Sequence, residues 1–134
     1  MYIRKGKKTL DKVLLVGAGG FIGSVLRYLM GGFVQSVMPA FYSTLVINVT
    51  GGFAIGLLSQ YIEAQNTIGA GARAFLVVGI LGGYTTFSAF GNETINLMRT
   101  GEHFSAWINI GGHIVLGLCA VALGRYTVHL LLRG

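Results

Sequence analysis

The sequence predicts an all-α membrane protein of four transmembrane helices, with the third helix broken near mid-membrane. Hydrophobic residues make up 53% of the 134 residues and charged residues only 10%, against roughly 25% charged residues in an average soluble domain. Four apolar runs are each long enough to cross a bilayer, which takes about 20 helical residues. We therefore predict one domain over residues 1–134, in the cell inner (plasma) membrane, with spans at about 13–33, 44–62, 74–98 and 106–132.

The first two spans each contain a polar residue that lipid does not tolerate without a partner. The first follows a basic segment, but it is too long for a signal peptide and contains Arg27. Arg27 either pairs with Glu93 or reaches the membrane interface by snorkelling. In the second span, Asn48 follows Thr44 by four residues, so both project from one face. Asn48 is either an interhelical clamp or a pore-lining donor.

The third span has a polar centre, Gly-Gly-Tyr-Thr-Thr-Phe-Ser-Ala-Phe, over residues 82–90. Glycine and hydroxyl residues at mid-membrane favour a broken helix, which exposes N–H groups on one side and carbonyls on the other. Phe87 and Phe90 are three residues apart, and the positive edges of their rings suit a small anion. Packing against lipid or protein is the alternative. The hydroxyl of Ser88 needs a polar partner, and Glu93 closes the polar run.

The fourth span repeats the polar spacing of four with Asn109, His113 and Gly117. His113 is a proton relay, a metal ligand or a neutral donor, and a neutral hydrogen-bonded imidazole is the default because its face holds no second ligand. No catalytic constellation or nucleotide-binding motif is recognisable, so we predict that the chain is not an enzyme.

The spacing of glycines predicts close helix packing and an oligomer. Four glycine-rich helices form a thin bundle, which predicts that the chain assembles with another copy or partner. The glycine pairs at helix-packing spacing are Gly19 and Gly23, Gly52 and Gly56, and Gly79 and Gly83.

The basic residues are concentrated at the start of the sequence. Five of the ten lie in the first twelve positions, beside the first span. This pattern is typical of a flank on anionic lipid and not of a nucleic-acid site.

The third-span motif resembles that of the Fluc (CrcB-type) fluoride channels, whose pattern is GGxTTFSTF. Ala89 stands in place of the motif's second threonine. The resemblance covers essentially the whole chain. Its supporting positions are Gly20, Gly23 and Arg27 in the first span, Thr44, Leu45, Asn48 and Gly51 in the second, and Glu93 in the third.

The resemblance implies a passive, fluoride-selective channel that exports fluoride from the cytoplasm and protects the cell against its toxicity. It implies an antiparallel dimer with two pores and a structural Na⁺ at the dimer interface. The backbone carbonyls of Gly82 and Thr85 match the family's Na⁺ ligands. The residues that match or border the family's fluoride pathway are Phe87, Phe90, Asn48, Thr44, Ser88, Glu93, Asn109 and His113, with Arg27 in a structural role.

The distribution of basic residues conflicts with an unbiased antiparallel homodimer. Four spans place both termini on one side, and the positive-inside rule then predicts a cytoplasmic location for both. We expect a homodimer, as the resemblance implies; the alternative is a heterodimer with a paralogue. The terminal-side flanks contain Arg4, Lys5, Lys7, Lys8, Lys12, Arg73 and Arg133, whereas the opposite side has Arg99.

Two other functions compete with the channel. They are a small multidrug-type proton-coupled exporter and a structural membrane subunit.

Overall fold

The computed structural model describes residues 2–65 and 68–133, and every regular element in these ranges is helical. Four helical segments are long and apolar enough to cross a membrane, which confirms the four predicted spans: Thr9–Gln35, Phe41–Gln65, Ala70–Arg99 and His103–Leu131. The elements are α1 (Tyr2–Gln35), α2 (Phe41–Gln65), α3 (Ala70–Arg73), a π-helical segment (Ala74–Leu81), α4 (Gly82–Tyr84), α5 (Phe87–Arg99) and α6 (His103–Leu131).

The helices extend beyond the apolar runs that predicted them. α1 begins at Tyr2, although the first apolar run begins near Val13. Hydropathy marks only the part of a helix that suits lipid, whereas backbone hydrogen bonding continues outside the bilayer. The connections are therefore shorter than predicted. Pro39 lies between α1 and α2, and Gly101 has a φ of 82° in the turn between α5 and α6.

Glycines bring the helices together in two pairs. α1 packs against the π-helical segment, where a Cβ on Gly19 or Gly23 would collide with the backbone of the neighbouring helix. α2 packs along α6, where Gly56 and Gly124 approach the opposite backbone in the same way. Backbones can approach this closely only where no side chain intervenes. The prediction that glycines serve helix packing is confirmed at these contacts.

The described residues place large apolar side chains outward and several polar side chains inward. Phe21 and Leu131 are exposed, as expected for a surface in contact with lipid. The buried set includes Ser43, Thr44, Thr94 and Asn109. In a membrane the polar groups must find partners inside the protein. The polar interior of the bundle therefore indicates where function resides.

Candidate functional site: an interrupted helix between two cavities

The third span is interrupted at Thr85 and Thr86. Both residues have extended backbone conformations, with φ and ψ of −81° and 156° at Thr85 and −152° and 116° at Thr86. Thr86 begins α5 as its N-cap, because its Oγ1 accepts a hydrogen bond of 3.3 Å from the N–H of Ala89. The span is thus one joined helical segment containing two extended residues.

Asn48 on α2 holds the interruption. Its Nδ2 donates to the carbonyl of Thr86 at 2.9 Å, and its Oδ1 accepts from the Thr86 N–H at 2.8 Å. The amide thereby gives the N–H of Thr86 an acceptor in place of a helical carbonyl and adds a bond to the carbonyl of Thr86. This is the interhelical clamp that the sequence left as one of two alternatives. Nδ2 has a second hydrogen and Asn48 also lines a cavity, so the clamp does not exclude a donor role.

Two carbonyls at or just before the interruption, those of Gly82 and Thr85, have altered partners. In a continuous α-helix the carbonyl of Gly82 would accept a hydrogen bond from the N–H of Thr86, four residues later. Here that N–H donates to Oδ1 of Asn48 instead. The carbonyl of Thr85 accepts a hydrogen bond of 3.4 Å from an Nη of Arg27. In the described part of the chain, Arg27 makes no ion pair with Glu93, so that pairing is not formed. Arg27 is long enough to reach the interruption, and its guanidinium suits a carbonyl acceptor.

Phe87 and Phe90 begin α5 directly after the interruption. Their ring centroids are 5.3 Å apart with an interplanar angle of 60°, so an edge of one ring meets the face of the other. Phe87 is 82% exposed on the surface of the single chain. Phe90 packs against the imidazole of His113 on α6, with centroids 4.3 Å apart.

Polar side chains around Phe90 form two hydrogen-bonded groups, which together make up the polar cluster. The hydroxyl of Thr44 donates to Glu93 Oε1. Asn109 is fully buried, and its Nδ2 donates to Thr94 Oγ1 at 3.0 Å. The carbonyl of Asn109 lies 2.9 Å from Nδ1 of His113. Thr44 and Glu93 are therefore joined between α2 and α5, and Asn109 and His113 are joined to Thr94 between α6 and α5.

The interruption separates two cavities, and Thr86 lines both. One is a polar cleft of about 970 Å³, with Arg27, Thr44, Ser88 and Glu93 in its lining. The other is a more apolar groove of about 520 Å³, with Asn48, Thr85, Phe87, Phe90 and His113 in its lining.

The predicted site residues divide between these cavities, and one lines neither. Asn109 lies behind Phe90 in the polar cluster. Sequence reasoning did not identify Thr94, which is buried and links Asn109 to the backbone carbonyl of Phe90. The available signal was its position four residues after Phe90, which places both on one face of a helix.

Comparisons with known proteins agree with this geometry. Residues 14–125 match the family model described as "CrcB-like protein, Camphor Resistance (CrcB)". A relative from Rhizobium meliloti (strain 1021) is 45% identical over 117 residues, covering 86% of this chain and 94% of its own. One from Hydrogenobaculum sp. (strain Y04AAS1) is 44% identical over 119 residues, covering 88% and 98%. One from Elusimicrobium minutum (strain Pei191) is 43% identical over 126 residues, covering 92% and 98%.

Each of these three relatives is named "Fluoride-specific ion channel FluC". The matches extend over nearly the whole of each relative, and the family match includes the interruption, the two phenylalanines and the polar cluster. The resemblance seen in the third-span motif is therefore confirmed across the chain. With four spans and this match, the chain is a multi-pass membrane protein that belongs to the CrcB family.

Proposed function

We propose that this protein is a passive, fluoride-selective ion channel that exports fluoride from the cytoplasm and protects the cell against fluoride toxicity. The main support is one arrangement: Phe87 and Phe90 lie edge to face beside the helix interruption and line the apolar groove, and Thr86 at the interruption lines both this groove and the polar cleft. The function printed in the names of the relatives agrees with it.

The path begins in the polar cleft and passes the interruption. Fluoride accepts hydrogen bonds and donates none, so donors and positive ring edges are the groups that can replace its water. Ser88 and Thr86 offer hydroxyls 3.2 Å apart, and Asn48 has a second amide hydrogen. Beyond these groups the proposed path passes the ring edges of Phe87 and Phe90. These neutral groups bind an anion weakly enough for it to leave, which conduction requires.

The single chain leaves part of this path open, and we propose that a second copy in antiparallel orientation closes it. Phe87 projects from the surface, and the groove beside it is open. Tyr84 and Thr50 pair through their hydroxyls at 2.9 Å on an exposed face, which is an unusual surface to present to lipid. The basic flank favours one orientation, so a paralogue of opposite orientation is the alternative partner. The same flank binds anionic lipid.

We further propose that a structural Na⁺ binds between the two copies, held by the carbonyls of Gly82 and Thr85 from each. Carbonyl oxygens suit a hard cation, and the usual helical donor to Gly82 has been diverted to Asn48. The carbonyl oxygen of Thr85 has two lone pairs, and the guanidinium of Arg27 bonds to one of them. The other lone pair is left to bind Na⁺. Bound Na⁺ would fix the two interruptions together and raise the local positive potential.

Liposomes loaded with fluoride test the proposed function. With valinomycin present to carry the compensating K⁺, a fluoride electrode should record rapid release, and chloride release should be far slower. Protein-free liposomes provide the background. Equal release of the two anions, or release that requires a proton gradient, would count against a selective passive channel.

A further inference from the structure

Phe90 on α5 is connected to α6 at two separate points. Its carbonyl accepts a hydrogen bond of 2.8 Å from the hydroxyl of Thr94. Thr94 in turn accepts one of 3.0 Å from Nδ2 of the fully buried Asn109 on α6. The ring of Phe90 packs against the imidazole of His113, with ring centroids 4.3 Å apart and an interplanar angle of 37°. Both the backbone and the ring of Phe90 therefore have partners that lead to α6.

These contacts form a closed circuit of four residues. The side chain of Asn109 bonds to Thr94, and its backbone carbonyl lies 2.9 Å from Nδ1 of His113, whose ring returns to Phe90. Phe90 and Thr94 are four residues apart on α5, and Asn109 and His113 are four apart on α6. Residues four apart lie on one face of a helix, so the circuit joins one turn of α5 to one turn of α6.

The hydrogen bond to Asn109 fixes both the orientation and the tautomer of the His113 ring. A carbonyl oxygen only accepts, so Nδ1 has the hydrogen of the neutral ring. Nε2 then presents a lone pair, and in the described part of the chain it is buried without a hydrogen-bond partner. A lone pair does not bind an anion, so the neutral ring has no hydrogen left to offer fluoride. An effect of His113 on the path therefore comes from its contact with the ring of Phe90.

The orientation of the Phe90 ring decides how it meets an anion. The edge of a phenyl ring is positive and its face is negative, so rotation of the ring replaces an attractive group with a repulsive one. Phe90 and His113 both line the apolar groove. When the ring rests on a neighbour of fixed orientation, the width of the groove beside it is also fixed. A gap that cannot widen admits a small anion more readily than a large one.

We propose that His113 is a positioning residue, which fixes the ring of Phe90 and thereby contributes to the selectivity for fluoride over chloride. The proposal rests on the proposed function. It differs from a role of His113 as a donor to the anion, because the one ring hydrogen is bonded to Asn109. Phe87 also contacts the ring of Phe90, but it is exposed on the single chain, so the support from within the bundle comes from His113.

The experiment compares fluoride release with chloride release from liposomes at about pH 8, where an imidazole is neutral. His113→Ala removes the ring, so the ratio of the two rates should fall several-fold. His113→Phe keeps a flat ring but has no Nδ1–H, and it should retain most of the wild-type ratio. His113→Leu keeps volume without a flat ring and should behave as the alanine variant, which it replaces if that variant does not fold. His129→Ala, at an exposed position on α6, is the matched control and should keep the wild-type ratio.

A second measurement does not depend on transport. NMR of ¹³C-labelled phenylalanine reports how fast the ring of Phe90 flips, with the Phe90 signals assigned by their loss in Phe90→Ile. The flip rate should rise several-fold in His113→Ala and stay near the wild-type value in His113→Phe.

Three outcomes separate this proposal from the proposed function. Equal losses of selectivity in His113→Ala and His113→Phe would overturn the proposal, because they would assign the effect to the polar atoms of His113. An unchanged ratio or an unchanged flip rate in His113→Ala would overturn it as well, and fluoride release by the wild-type chain would leave the proposed function standing. Absence of fluoride release by the wild-type chain overturns the proposed function instead, and the NMR comparison then decides whether His113 fixes the ring.

Discussion

Replacement of Asn48 by leucine tests whether one side chain holds the interruption open. Leucine has nearly the same size but no polar atom, so it removes the bonds to the carbonyl and the N–H of Thr86. Interhelical hydrogen bonds in membranes contribute about 0.6 kcal/mol on average and up to about 1.7 kcal/mol. Loss of two bonds should therefore lower the free energy of unfolding by about 1–3 kcal/mol. Thr86 lines both cavities, so water can partly satisfy its backbone and keep the loss within this range.

The assay is unfolding by SDS in mixed micelles, followed by far-UV circular dichroism, together with fluoride release from liposomes. Asn92→Leu is the matched control because Asn92 is an exposed asparagine on the same span as Thr86. We expect Asn48→Leu to be less stable than this control and to lose most fluoride release, because Thr85 and Thr86 can then rearrange. Wild-type stability and wild-type release in Asn48→Leu would refute the clamp.

Three further predictions follow from the packing and the path. Replacement of Phe90 or Phe87 by isoleucine keeps apolar volume but removes the ring edges. Fluoride release should therefore fall strongly, while gel filtration shows an unchanged oligomer. Undiminished release in both variants would show that the two rings serve only in packing. Gly56→Ala places a Cβ against the backbone of Val121 and should lower the free energy of unfolding in SDS by about 1–3 kcal/mol. Gly32→Ala is the control, because a Cβ there meets nothing within 4 Å. Equal stability of the two variants would contradict the close contact of α2 with α6. Exhaustive replacement of Na⁺ by a large organic cation should weaken the dimer and slow fluoride release; an unchanged dimer and unchanged release would eliminate the proposed Na⁺ site.

Much of the fold was accessible from the sequence because membrane helices are encoded locally. Four apolar runs predicted four spans, and hydropathy alone locates each run. The polar motif at residues 82–90 predicted an interruption, and two extended residues lie within it. The ends of the helices were less accessible. α1 continues to Tyr2 because hydrogen bonds and not hydropathy determine where a helix stops.

The sequence by itself determined the four spans, the polar run in the third, and the family whose motif that run matches. Only the tertiary structure decided which group each polar residue meets. Arg27 reaches the carbonyl of Thr85 and not the carboxylate of Glu93, and Asn48 bonds the backbone of Thr86. Residues 38 or 58 positions apart in the chain become partners in these bonds. Spacing along one helix defines a face, but helix rotation and close glycine contacts determine what that face touches.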